Sequence, residues 1–118
     1  MEFTDKRARK IVNSLKCYEC KESIESYPED ERDGKEDLAI IREEVEYFIY
    51  LFEEVDGALS GDLEEAREIL RETKNGKVNP VVGGLNHPRL KYSEWDIKRA
   101  KNTVAEIRQL KRILKELS

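Results

Sequence analysis

Cys17-Tyr18-Glu19-Cys20 brings together the only two cysteines of the chain, at the C-x-x-C spacing used by redox dithiols and by one half of a structural zinc site. A zinc site closes with four ligands. The chain supplies two thiols and one distant histidine, so a complete site needs a second subunit. Redox dithiols favour a helix start, where the backbone dipole lowers the thiol pKa; here the pair falls about three turns into an expected helix. Cys17, Cys20, Ile24 and Tyr27 continue a three-four-three spacing, which predicts that both sulfurs are packing groups.

The segment from Asn75 to Tyr92 is different in kind. It holds two of the three prolines, three of the six glycines and the only histidine, and no acid. Asn79-Pro80 and His87-Pro88 impose extended or turn geometry, and Gly83-Gly84 admits unusual dihedrals. An irregular segment of this length either routes the chain as a long crossover between the third and fourth helices or serves as a binding loop. Its expected binding residues are Lys77, Asn79, Asn86, His87, Arg89 and Lys91, which would meet a partner or an anion. No Cys nucleophile or Ser-His-Asp set can be assigned to His87, so it is expected to serve as a hydrogen-bonding loop residue rather than a catalyst.

Glu43-x-x-Glu46 and Glu53-x-x-Asp56 resemble the magnesium-binding acid pairs of all-helical nucleotide pyrophosphohydrolases, which carry one pair on each of two helices. The resemblance implies a metal-dependent nucleotide hydrolase. Both pairs here fall on one expected helix, about 15 Å apart by helical rise, too far to share one octahedral ion. A solvated acidic face is the expectation, with no catalytic residue, no metal and no cofactor. Walker loops, dinucleotide fingerprints and zinc fingers have no counterpart in the chain.

Net charge is −4 over 118 residues, but it is unevenly spread. Residues 1–72 carry 11 Lys+Arg against 22 Asp+Glu (−11), and residues 73–118 carry 11 against 4 (+7). Such asymmetry fits helix faces that complement one another within one fold or across a dimer. It also allows nucleic-acid binding by the last helix, where Lys98, Lys101, Arg108, Arg112 and Lys115 share one side by helical spacing.

Apolar residues stepping by threes and fours set the elements that carry these groups. Leu38, Ile41, Val45, Phe48, Phe52 and Val55 form one seam; Ala100, Thr103, Ile107, Leu110, Leu114 and Leu117 form another. Tyr47, Ile49, Tyr50 and Leu51 widen the first, and Trp95 with Ile97 is expected to anchor the entrance of the last helix. Four helices are expected, at 4–27, 34–56, 62–74 and 93–117, with loop 75–92 between the third and fourth. Thr4, Asp33, Asp62 and Ser93 are the expected caps, and Gly57 is a left-handed stop. Residues 28–34 read as a polar turn. The expected fold is a single all-α domain resembling a four-helix bundle.

The longest apolar run, Tyr47 to Phe52, is far short of the ~20 residues that cross a bilayer. No secretory signal is evident at the start of the sequence, and two sparse cysteines fit a reducing compartment, so a cytoplasmic location and no membrane partner are expected. The expected function is non-enzymatic. The chain would bind another protein, or itself as a homodimer, in the manner of a small phage or mobile-element regulator or inhibitor. Nucleic-acid binding by the basic helix and loop is the alternative.

Overall fold

The computed structural model describes residues 3–32, 34–55, 57–59, 61–73 and 92–117. All regular elements among them are helical: α1 (Lys6–Ser14), α2 (Tyr18–Glu25), α3 (Glu29–Arg32), α4 (Asp37–Glu54), α5 (Leu63–Glu72) and α6 (Glu94–Leu117). The fold is an all-α helical bundle. No helix is long and apolar enough to cross a membrane among the described residues.

Apolar periodicity decides the packing. At 24 residues α6 is the longest helix, about 36 Å from end to end. It packs on both α5 and α4, and α4 also receives α1 and α2. Ile41, Val45, Phe48 and Phe52 of α4 share a core with Ile107 and Leu110 of α6, while Ile97 and Ala100 meet Ala66 and Ile69 of α5 in a second cluster. The ends of the expected seams, Leu38, Val55, Leu114 and Leu117, are only half-buried. Ile40, Ile113 and Gln109 are buried outside those seams. Along α6, Ile97 and Ala100 bury against α5, and Ile107, Leu110 and Ile113 enter the core shared with α4, while α5 still borders the helix as far as Lys111.

The expected helix over residues 4–27 is broken in two, and this corrects the sequence reading. Leu15 and Cys17 adopt extended dihedrals (φ −62°, ψ 126° and φ −75°, ψ 102°), and both side chains are buried. On a continuous helix, residues two apart point to different sides; the extended link lets both enter the core. The break strands backbone polar groups, and Gln109 of α6 satisfies them. Its Oε1 accepts from the Lys16 N–H at 2.7 Å and its Nε2 donates to the Ser14 carbonyl at 2.6 Å.

Side-chain caps set the starts of α1, α5 and α6. Asp62 accepts from the Glu65 N–H at 3.0 Å, and Ser93 exchanges hydrogen bonds with Asp96 as a capping box. Gly57 takes the left-handed conformation, φ 72°, after α4. At α1 the cap is Asp5 and not Thr4: its carboxylate accepts from Arg7 and Ala8. The Thr4 hydroxyl is used elsewhere, donating to Asp37 at 3.2 Å. Asp37 also accepts from the Asp5 N–H at 2.9 Å and pairs with Arg32 at 3.3 Å; the Asp5 amide foremost holds its carboxyl below the usual range. Arg32 belongs to α3, a single turn inside the stretch expected to be irregular, and its guanidinium lies 4.4 Å from the centre of the Phe3 ring. Helix α4 starts at Asp37 rather than Gly34, with Glu36 in the cap position; Asp33 lies outside the described residues.

Gly61 lets the link before α5 press against α6. A Cβ there would lie 2.5 Å from Thr103 Oγ1, closer than van der Waals contact, so the small residue permits this approach.

Candidate functional site

Two exposed surfaces of opposite charge stand out. Along α6, Lys98, Lys101, Arg108, Arg112 and Lys115 are all exposed, in agreement with their helical spacing. Helix α5 adds two cations that sequence reasoning had grouped with the acidic half. Arg67 and Arg71 line a groove with Arg108 and Lys111 of α6, floored by Leu70, Val104 and Ile107. Only tertiary packing brings these pairs together; the available sequence signal was their i, i+4 spacing on α5.

The outer side of α4 is acidic and aromatic. Glu36, Glu43, Tyr47, Tyr50 and Glu54 fall on one side by helical spacing, and all are exposed. Tyr47 and Tyr50, expected to widen the buried face, are instead 54% and 53% exposed, whereas Ile49 and Leu51 pack against the core. The Tyr47 ring meets Phe48 edge-on, with centroids 5.8 Å apart. Trp95, expected to anchor the start of α6, is exposed beside Arg99, and Ile97 alone is buried there.

The described acids of the two pairs, Glu43, Glu46 and Glu53 of α4, are each engaged by a cation. Glu43 bonds to Lys35 at 3.4 Å, Glu46 to Arg42 at 3.3 Å and Glu53 to Lys111 at 2.9 Å. Asp56 lies outside the described residues. No group of three metal-ligating side chains occurs among those described. The expected loop-binding residues Lys77, Asn79, Asn86, His87, Arg89 and Lys91 also lie outside them.

No family model matches the chain, and neither a curated protein nor a solved structure shows detectable similarity to it.

The cysteine pair is placed differently from expectation. Cys17 is the N-cap of α2 and Cys20 lies in its first turn, which is the setting that favours thiolates. Burial outweighs that setting. Cys17 and Cys20 are 2% and 0% exposed, and both are free. Desolvation, reinforced by Glu106 and Glu19, pushes the Cys17 thiol up to about 11, and desolvation raises Cys20 as well. Both sulfurs belong to the main core cluster. Native protein at neutral pH is therefore expected to react with iodoacetamide at least about a hundredfold more slowly than an ordinary exposed cysteine, with full reactivity in denaturant. Rapid labelling of the folded chain would contradict this burial.

Glu106, half-buried on α6, lies close enough to Glu19 for the two charges to interact. Desolvation first, and Glu19 second, raise its pKa above 4.5. A carboxyl raised in the folded state leaves stability intact below its unfolded value and reduces it as pH rises through the folded value. Glu106→Gln is expected to melt higher than wild type at pH 7, with the difference vanishing below about pH 4.5. Thermal melts of both proteins across that range check the sign.

Proposed function

We propose that this chain is a non-enzymatic binding module whose α4 outer face docks on a basic protein surface. The exposed tyrosines Tyr47 and Tyr50, set among Glu36, Glu43 and Glu54, are the observation that supports this reading. Tyrosine brings large apolar area and a hydroxyl at a low entropic cost, and it is enriched at interface hot spots. Contact with Phe48 ties the Tyr47 ring to the core, so this anchor is partly ordered before binding. Glu36 and Glu54 carry no ion pair among the described residues. Their charge is available to steer a cationic partner and to disfavour acidic ones. Such a module regulates or inhibits by occupying its partner's surface.

The test uses wild type and Tyr47→Ala/Tyr50→Ala as paired baits in lysate of the native host. A protein with a basic surface is expected on the wild-type bait and is depleted by about tenfold or more on the variant, in keeping with the loss of hot-spot side chains. Binding of the purified partner should weaken with salt. Equal recovery of all proteins by both baits rejects the α4 face. Sedimentation equilibrium of the chain alone shows whether the partner is a second copy: a dimer dispersed by the same substitutions makes it so.

A further inference from the structure

We infer that the groove between α5 and α6 binds the phosphodiester backbone of nucleic acid, on a surface separate from the α4 face. Arg67 and Arg71 stand one turn apart on α5 and share the groove with Arg108 and Lys111 of α6. No carboxylate lines it among the described residues. Lys111 is engaged by Glu53 at 2.9 Å, whereas Arg67, Arg71 and Arg108 have no ion-pair partner among the described residues.

The other flank of the same helix pair is unlike this one. There Asp62, Glu65 and Asp96 line the surface with Arg99 as the one cation among the described residues. Among the described residues of this helix pair, the groove flank is lined by cations without acids and the other flank mainly by acids, and α6 extends the basic row. Lys101 lies before the groove, Arg112 and Lys115 beyond it, and all are exposed. From Lys101 to Lys115 the helix rises about 21 Å, the length of about six nucleotides of one strand in a duplex at 3.4 Å each. A row of one sign over that length matches a repeating polyanion better than a single carboxylate or phosphate. Guanidinium groups present paired N–H donors suited to phosphate oxygens. The apolar floor, Leu70 and Val104, is only half-buried and provides contact area for the sugar. The chain's net charge of −4 opposes long-range attraction, so binding rests on this local row and is strongest at low salt.

Fluorescence anisotropy with labelled single-stranded and duplex DNA and RNA of about 20 nucleotides, titrated from about 50 to about 200 mM salt, tests the inference. At least one probe is expected to bind, with affinity falling roughly a hundredfold over that range. Arg67→Ala/Arg71→Ala should weaken binding about tenfold or more at low salt and make the salt slope shallower by about two. Arg67→Lys/Arg71→Lys retains the slope, and Lys6→Ala/Lys10→Ala, on the exposed side of α1, leaves binding unchanged. Circular dichroism checks that the variants fold; if the α5 variant does not, Arg108→Ala/Arg112→Ala carries the same expectation. Absence of binding at the lowest salt overturns the inference, as does wild-type binding by the groove variants. Displacement of the probe by polyglutamate at equal charge would assign the groove to an acidic polypeptide and overturn it equally.

Discussion

Leu110→Ala is expected to lower the unfolding free energy by about 3–4 kcal/mol. Leu110 is fully buried, 0% exposed, and shares the main core with Phe48, Val45 and Ile41 of α4. Truncation removes apolar transfer energy and leaves a cavity that helices joined on several sides cannot fully close. A domain of this size has a total stability on the order of 5–15 kcal/mol, so the variant stands near the margin of folding. Urea unfolding followed by circular dichroism reads the loss. Leu117→Ala, at a half-buried position on the same helix, should cost about 1 kcal/mol by the smaller area it removes from water. Equal losses at the two positions would contradict the packing of α6.

Gln109→Leu should destabilise by about 2–3 kcal/mol, although it replaces a buried polar residue with an apolar one of similar size. The sign is the informative part. If Gln109 were merely a polar flaw in the core, leucine would stabilise. Because the amide answers both the Lys16 N–H and the Ser14 carbonyl, its loss orphans a donor and an acceptor at the break between α1 and α2. Gln109→Glu keeps the acceptor for Lys16 but turns a carboxylate oxygen towards the Ser14 carbonyl, so it too should destabilise. Its penalty should shrink as the carboxyl is protonated at low pH. Unfolding of the three proteins by denaturant separates these expectations, and a gain in stability for leucine would remove the bridging role.

How far the chain was legible depends on the range of each interaction. The seams of α4 and α6 could be read because apolar spacing is local, and so could the caps at Asp62 and Ser93, whose partners lie three residues away. Thr4 and Asp5 are both good caps; the choice between them follows from Asp37, which engages the Thr4 hydroxyl and the Asp5 amide from across the fold. The break at residues 15–17 carried no local signal. Nothing nearby forbids a helix there, and the group that satisfies the opened backbone is Gln109, far along the chain. The same distance concealed the groove. Arg67 and Arg71 lie in an acidic stretch of sequence, and their companionship with Arg108 arises only when α5 lies against α6. Tyr47 and Tyr50 depart from the local pattern for a different reason: aromatic residues bordering a seam look buried by composition, while the neighbouring helices cover only part of that face.

The dependence of the core on α6 has a consequence for biosynthesis. Helices α1, α2 and α4 are made first and can pack on one another, but the greasy side of α4 that faces α6 stays uncovered until Ile107, Leu110 and Ile113 have left the ribosomal tunnel. Gln109, the group that quiets the bent backbone between α1 and α2, arrives in the same short stretch. Nascent chains that stop before it should therefore be sticky and protease-sensitive, and the step to a closed molecule should come late and nearly all at once.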